Sequence, residues 1–167
     1  KSISGGLFYS SFVKEDGSLW VTGWFEDVNV SKDAVSNIVN KSQNGNKDTK
    51  AIFNEISQLG IVNKNNSDSP VEILSSGVKK VSTGYAHSLI LKDNGSLWSM
   101  GNNSFGQLGD GTWNAINTPT QILSSGVVKI SAHYLHNLII RKDGSTWAFG
   151  SNEWGQLGDG TWNDKNT

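Results

Sequence analysis

A nine-residue sequence, GQLGDGTWN, occurs twice in this chain, at positions 106–114 and 155–163. The two copies are identical and begin 49 residues apart. A recurrence at a fixed period of this length is typical of repeat architectures, in which each copy forms one supersecondary unit and neighbouring units bury a shared core. The chain is therefore predicted to be a stack of similar units.

The remaining sequence aligns on the same period. The second and third copies match without a gap, so that Trp98 aligns with Trp147 and His87 with His136. The first copy matches at a different offset, because Trp20 lies 78 residues before Trp98 while Pro70 lies 49 residues before Pro119. The difference indicates an insertion of 29 residues at about positions 25–53.

This alignment divides the chain into three repeats. Repeat one covers 1–78 and carries the insertion, repeat two covers 79–127, and repeat three covers 128–167. Repeat three lacks a counterpart of 119–127. We therefore expect a partial ring with an unpaired strand edge, which favours pairing with another chain.

Each repeat reads as four short strands. The predicted strands of repeats two and three are 78–83 and 127–132, 88–92 and 137–141, 96–101 and 145–150, and a fourth, edge-like strand at 119–123. Asp16-Gly17, Asn94-Gly95 and Asp143-Gly144 predict tight hairpins, since Gly and its Asp or Asn neighbour tolerate positive φ. Four strands in about fifty residues is typical of a propeller blade. The predicted fold class is all-β, with about three four-stranded blades.

The insertion follows a different pattern. Apolar residues recur at helical spacing after Ser31 and again after Asp48, both of which are suitable helix caps. The first set is Ala34, Val35, Ile38 and Val39, and the second is Ile52, Phe53, Ile56 and Leu59. This pattern predicts a helical hairpin packed on the first blade.

Composition narrows the possible partners. The chain has 14 Lys and Arg against 15 Asp and Glu, with no basic run, which argues against nucleic acid. It has no cysteine and no apolar stretch long enough to insert into a membrane. Low charge and abundant Asn favour an extracellular or surface location.

Candidate catalytic groups are better explained by structure. His87 and His136 occupy one repeat position, where repeat one has Tyr9, and a catalytic residue has no reason to recur once per blade. Asp110 and Asp159 lie in a loop without the alternating ligands of a calcium site, so a turn role is favoured. The sequence predicts no catalytic residue, no metal site and no cofactor.

The aromatic residues fall into two groups. Trp20, Trp98 and Trp147 follow the hairpin turns and are predicted to be core. The second group lies in the long loop and comprises Phe105, Trp113, Trp154 and Trp162. Loops commonly present binding surfaces, and exposed aromatic residues serve as interface anchors. Their regular recurrence favours the interpretation that each one covers the neighbouring blade. Because Trp154 replaces Phe at the repeat position of Phe105, the four residues are also kept as the candidate protein-binding site.

Several motifs in fixed order resemble the repeat of the regulator of chromosome condensation family. They are Val-x-Lys-x-Ser, His-x-Leu-Ile, Asp-Gly-Ser-x-Trp, Gly-x-Asn, Gly-Gln-Leu-Gly and a later Pro, and they cover nearly the whole chain outside the insertion. The resemblance implies a seven-bladed propeller, of which about three blades are present. Members include a guanine nucleotide exchange factor, a bacterial inhibitor of β-lactamase and a plant ultraviolet photoreceptor, which share binding of other proteins through the faces of the ring.

The predicted function is therefore a non-enzymatic propeller module for protein–protein interaction. The partner is another protein, or a second copy that associates through blade edges and loops. A structural role in a bacterial surface layer or a phage-like particle is the alternative. An exchange factor or enzyme that uses the insertion is less favoured, because the insertion carries no His and no evident nucleophile.

Overall fold

A computed structural model describes residues 1–6, 9–23 and 67–167. The helical hairpin predicted for 25–53 lies outside the described residues. The described chain is all-β and contains eleven strands. They are β1 (Ser2–Gly5), β2 (Tyr9–Val13), β3 (Leu19–Gly23), β4 (Ser67–Leu74), β5 (Val78–Thr83), β6 (His87–Lys92), β7 (Leu97–Gly101), β8 (Ile116–Leu123), β9 (Val127–His133), β10 (His136–Arg141) and β11 (Thr146–Gly150).

The strands form three antiparallel sheets, which we call blades 1, 2 and 3. Their strand orders are β1-β2-β3-β4, β5-β6-β7-β8 and β11-β10-β9. In blade 3 the described residues form three strands, and a single antiparallel bridge between Gly150 and Lys165 follows them. The same pairing in blade 2 joins Gly101 to Ile116, where β8 begins. The third blade thus starts a fourth strand at the position that the repeat predicts.

The hairpin turns follow from the Asp-Gly-Ser or Asn-Gly-Ser sequences. Gly95 has a φ of 79° and donates its N–H to the carbonyl of Lys92 at 2.9 Å. Asn94 Oδ1 accepts hydrogen bonds from the backbone N–H and the hydroxyl of Ser96, at 3.0 and 2.7 Å. The Ser96 hydroxyl in turn accepts the indole N–H of Trp98 at 2.9 Å. One short motif therefore fixes both the turn and the following tryptophan.

Each blade has two lateral faces, and successive blades pack face to face. We call the side toward the following blade its forward face and the side toward the preceding blade its backward face. The blade 1–blade 2 core joins Val13 and Leu19 to residues of blade 2. The blade 2–blade 3 core contains Leu89, Leu91 and Leu97 from the forward face of blade 2, and Val127, Ile130, Ile139 and Phe149 from the backward face of blade 3. Strand β6 is buried from His87 to Leu91 because blade 2 is covered on both faces.

Polar contacts repeat between successive blades. The backbone N–H of Thr83 donates to the Ser4 hydroxyl at 3.0 Å, and the N–H of Ala132 donates to the Ser82 hydroxyl at 2.9 Å. At the other end of the blades, Val78 N–H donates to the carbonyl of Gly17 and Val127 N–H to that of Gly95, both at 3.0 Å. Equivalent groups therefore make equivalent contacts at both interfaces.

The prediction that the turn tryptophans are core was wrong for Trp147, which is exposed. Trp98 is half-buried and packs against the blade 1–blade 2 core, and Trp20 is half-buried. A cation lies over each ring, namely Lys14 Nζ, Lys92 Nζ and the Arg141 guanidinium. The core positions belong to the residues beside them, such as Leu19 and Leu97, which point to the opposite side of the strand. The tryptophans border the core from its rim.

Candidate functional site

The loops at one end of the blades carry the predicted binding residues. His87 pairs with Gly101 in register, as His136 does with Gly150. The loop after β7 therefore lies at the same end as the short β5–β6 loop, and the corresponding loops of blade 3 share that end. We call this the loop end, and the opposite side, with the Asp-Gly and Asn-Gly turns, the hairpin end. Because equivalent groups meet between blades, the loop ends lie side by side.

A buried asparagine organises the GQLGDGTWN loop of blade 2. The Asn103 amide N–H₂ donates to Asp110 Oδ1 at 3.1 Å and to the carbonyls of Thr112 and Asn114 at 3.1 and 3.0 Å. Its Oδ1 accepts the backbone N–H of Leu108 at 2.9 Å. Asn103 is fully buried, so the side chain replaces water for four loop groups. The conformation of the loop is thus fixed from inside.

Asn152 makes the same contacts in blade 3, to Asp159, Thr161, Asn163 and Leu157. Asp159 also accepts hydrogen bonds from the backbone N–H and hydroxyl of Thr161, and Lys165 Nζ lies 3.2 Å from its Oδ2. Hydrogen bonds from Thr161, first the backbone N–H, lower the pKa of Asp159 to about 2. These contacts assign Asp110 and Asp159 to loop formation, as the sequence indicated.

Glutamine holds the aromatic residue at the start of each loop. Gln107 Oε1 accepts the backbone N–H of Phe105 at 2.8 Å, and its amide N–H₂ donates to Asn102 Oδ1 at 2.8 Å. Gln156 Oε1 accepts the N–H of Trp154 at 2.8 Å. The backbone beneath Phe105 and Trp154 is therefore rigidly placed, and their side chains project from a fixed support.

The predicted binding residues differ in exposure. Trp113 is 51 % exposed, Trp162 is 69 % and Trp154 is 83 % exposed, whereas Phe105 is half-buried. Trp113 stays exposed although blade 3 packs beside its loop. About half of the Trp113 side chain is therefore accessible beside blade 3, and both the binding and the blade-covering interpretation stay predictions. The three tryptophans belong to adjacent blades at the loop end.

Two tyrosines that sequence reasoning missed lie at the same end. Tyr85 and Tyr134 occupy one repeat position, and their rings meet edge to face with centroids 5.2 Å apart. Tyr85 N–H donates to the carbonyl of Tyr134 at 2.8 Å. Tyr134 has a φ of 31°, the one positive value for a non-glycine residue in the described ranges, and its side chain is exposed. Such strain persists only where surrounding contacts hold it, and it concentrates at functional surfaces. The 49-residue recurrence of Tyr after the first strand was the available signal.

The histidines divide into one buried and two accessible groups. His87 is fully buried, and its Nε2 lies 2.8 Å from Asn137 Oδ1 on the next blade. Burial lowers the pKa of His87 to about 4, so the ring is neutral at pH 7. The ring of His136 lies 5.6 Å from the exposed His133, and burial is the main cause that lowers the pKa of His136. His87 therefore joins two blades and is not available to a substrate.

Of the other features that bear on function, namely metal sites, membrane spans and cavities, the described residues form a cavity. Residues 1–6, 9–23 and 67–167 contain no group of three or more His, Cys, Asp or Glu side chains placed to hold a metal ion. In the same ranges no helix has the length and apolar character needed to cross a bilayer. A cavity of about 480 Å³ lies between blades 2 and 3 and is lined mainly by apolar groups such as Ile122, Ile139 and Phe149.

Family models match the part of the chain that forms blade 2 and the first strands of blade 3. The model of the Regulator of chromosome condensation (RCC1) repeat matches residues 94–140, and a second model with the same description matches 78–107. Together these segments contain the four strands of blade 2 with its Asn-Gly hairpin and asparagine-centred loop, and β9 and most of β10 in blade 3. The chain carries RCC1 repeats.

Solved RCC1-type structures share the arrangement of the blades. Human WBSCR16 aligns over 99 % of this chain with a TM-score of 0.69 and 21 % identity. Yeast RCC1 (Prp20), in a structure with Kap60 bound, aligns over 99 % with a TM-score of 0.70 and 18 % identity. Prp20p from Saccharomyces cerevisiae, described with its binding properties to Gsp1p and histones, aligns over 93 % with a TM-score of 0.62 and 17 % identity. The predicted partial β-propeller is therefore confirmed.

The chain spans about a third of these relatives, namely 37 %, 35 % and 31 % of their lengths. No curated protein sequence matches it. At this level of identity the similarity shows the fold alone. The function of this chain therefore has to be inferred from its own surface residues.

Proposed function

We propose that this RCC1-repeat chain is a non-enzymatic protein-interaction module that binds a protein partner through its loop end. The observation that carries the proposal is the exposure of Trp113, Trp154 and Trp162 on loops whose backbones are held by buried asparagines. Large aromatic side chains on a rigid support lose little conformational freedom on binding and act as interface anchors. The extracellular or surface location expected from the composition belongs to the same proposal.

Two further features support binding over catalysis. The exposed, strained Tyr134 and its partner Tyr85 extend the aromatic surface along the same end of the blades. Among the histidines whose pKa is lowered, His87 is fully buried beneath that surface and hydrogen-bonded to Asn137, so it is not accessible to a substrate. Related propellers are described in complexes with proteins, namely Kap60 with yeast RCC1 (Prp20), which makes a protein partner a reasonable expectation here.

Site-specific photo-crosslinking tests the proposal. A photoreactive residue replaces Trp154 at the loop end in one variant and Lys142 at the hairpin end of the same blade in another. We expect the variant with the photoreactive residue at position 154 to form a protein adduct in native extract, and the variant with it at position 142 to form none. Adding Trp162→Ser to the first variant should reduce the adduct, whereas adding Val128→Ser should leave it unchanged. Equal adducts at both positions, or none at 154, would contradict loop-end binding.

A further inference from the structure

The tryptophans that follow the hairpin turns are each matched to a cation of the same chain. The distances from the cation to the ring centroid are 3.6 Å for Lys14 and Trp20, 4.3 Å for Lys92 and Trp98, and 5.0 Å for Arg141 and Trp147. A cation within about 6 Å of a tryptophan ring is attracted by the negative face of its π system. These three rings therefore have their cation within the chain.

The tryptophans at the loop end have no such cation. In the described part of the chain, no Lys or Arg lies over the rings of Trp113, Trp154 and Trp162. Trp113 is the decisive case, because it is 51 % exposed in blade 2, which packs against a blade on each side. Its exposure therefore does not depend on the absence of a neighbouring blade. An accessible aromatic face of this kind can accept a cation from another molecule.

The loops that carry these rings have an excess of negative charge. Segments 102–115 and 151–165 contain four carboxylate side chains and a single basic one, Lys165. Lys165 Nζ lies 3.2 Å from Asp159 Oδ2, so its charge is already paired. The shorter segments 84–86 and 133–136, which hold Tyr85 and Tyr134 at the same end, contain no Lys or Arg. The loop end thus combines exposed aromatic rings with carboxylates.

The carboxylate nearest in sequence to Trp113 is that of Asp110. Blade 2 has Ile116 at the repeat position of Lys165, and no basic side chain of the described residues forms an ion pair with Asp110. Glu153, directly before Trp154, is exposed and likewise has no ion pair within the described ranges. Negative charge beside an aromatic face favours a cationic group on the partner and disfavours an acidic one.

We propose that the partner presents a basic polypeptide segment to the loop end, with Lys or Arg side chains stacked on the loop tryptophans beside these carboxylates. The inference rests on the loop-end binding proposed above and adds the chemistry of the partner. The partner's cation takes, over Trp113, the place that Arg141 takes over Trp147. Arginine is the better fit, because its planar guanidinium stacks on a ring and donates hydrogen bonds to a carboxylate at the same time.

Fluorescence anisotropy with a labelled peptide of alternating Gly and Arg residues tests the proposal. The same peptide with citrulline in place of arginine is the matched probe, since citrulline keeps the shape of the side chain but has no charge. Binding is measured at about pH 8, where the histidines at the loop end are neutral. We expect the arginine peptide to bind the wild-type chain at least tenfold more tightly than the citrulline peptide.

Substitutions at two exposed tryptophans separate the aromatic contact from general attraction between charges. Trp113→Leu keeps an apolar side chain but removes the ring, and it should weaken binding of the arginine peptide about threefold to fivefold, as expected for one exposed cation–π contact. Trp113→Phe should lose less. Trp147→Leu is the control and should bind like the wild type, because Arg141 already lies over that ring. Circular dichroism should show all three variants folded, since both side chains are exposed.

Competition in the photo-crosslinking experiment distinguishes this inference from loop-end binding itself. An excess of the arginine peptide should suppress the adduct at position 154, and the citrulline peptide should not. An adduct that persists would leave loop-end binding in place and overturn the basic partner. Equal affinity for the two peptides, no affinity for either, or a Trp113→Leu variant that binds the arginine peptide like the wild type would overturn it as well.

Discussion

At the scale of single residues, the repeat position of His87 carries two different side chains, and each makes its own hydrogen bonds to the next blade. Tyr9 at this position in blade 1 donates its hydroxyl to the carbonyl of His87 at 2.7 Å and lies 3.0 Å from the Ser88 hydroxyl. His87 in blade 2 instead reaches Asn137, whose amide N–H₂ donates to the carbonyl of Gln107 at 2.8 Å. Asn137 Oδ1 therefore accepts a hydrogen bond from the Nε2–H of His87, which leaves Nδ1 as the unprotonated nitrogen. Nδ1 is buried without a hydrogen-bond partner in the described part of the chain.

Stability should fall as this histidine is forced to ionise. The pKa of His87 is about 4 in the folded chain and about 6.5 when unfolded, so between these pH values only the unfolded state binds the proton. The stabilisation is fully present above pH 6.5 and is lost as the pH falls toward 4. Its size is about 3 kcal/mol, from roughly 1.4 kcal/mol per pKa unit. Urea unfolding at pH 7 and at pH 4 measures it.

The chain supplies the control for this pH dependence. The double variant His87→Tyr with Asn137→Ser reproduces the Tyr9–Ser88 pair and has no group that titrates between pH 4 and 6.5 at this site. Carboxylates titrate in both proteins, so the difference between them isolates His87. A wild type and double variant that lose the same free energy of unfolding would contradict the assignment.

Gly84 makes room for the His87 ring. A Cβ at Gly84 would lie 2.2 Å from His87 Cε1 and 2.9 Å from the carbonyl oxygen of Tyr134, and its φ is outside the left-handed region. Gly84→Ala is therefore expected to destabilise the chain by about 1–3 kcal/mol through overpacking alone. Urea unfolding measures the cost. In a His87→Ala background the cost should shrink, and an unchanged cost would show that the ring is not the obstacle.

At the scale of the structural element, the asparagine-centred loop occurs with the same sequence in blades 2 and 3, but its surroundings differ between the two blades. Asn103→Ala removes the partner of the buried Leu108 N–H and of two loop carbonyls, at an expected cost of about 3 kcal/mol. Asn152→Ala breaks the same bonds in a loop whose surroundings are less covered, where water can replace them. It should cost about half as much in urea unfolding at dilute concentration. Equal costs would mean that the covering blade does not isolate the loop from water.

The sequence predicts the elements well where the information is local. β5 has the predicted bounds, Val78–Thr83, because alternating apolar residues and the following turns define it. Each hairpin was located from its Asp-Gly or Asn-Gly pair, since positive φ at glycine is a local requirement. β8 begins at Ile116, three residues before the predicted start, because its pairing with Gly101 extends it.

Contacts between blades could not be predicted from the sequence of a single repeat. Trp98 and Trp147 share their local sequence, yet Trp147 is the more exposed because fewer neighbours surround it in blade 3. The strained φ of Tyr134 depends on a hydrogen bond from Tyr85 in another blade. Exposure of three of the four loop aromatic residues agrees with the candidate site, whereas their binding role stays a prediction.

At the scale of the whole molecule, stability should be distributed unevenly among the blades. In repeat architectures each unit gains stability from its own fold and from each neighbour that it contacts. Blade 2 contributes to both apolar cores, through Val81 on one side and Leu89 on the other. Blade 1 and blade 3 each contribute to one described core. The central blade is therefore expected to open last.

Native-state hydrogen exchange tests this order at matched positions. Leu91 in β6 and Ile140 in β10 hold the same repeat position, but Leu91 is fully buried and Ile140 is half-buried. At dilute concentration the Leu91 amide should exchange at least tenfold more slowly, because its exposure requires the opening of blade 2 with both interfaces. Equal protection at both positions in the monomer would mean that the blades open as one unit and that their interfaces are stronger than the hydrogen bonding within each sheet.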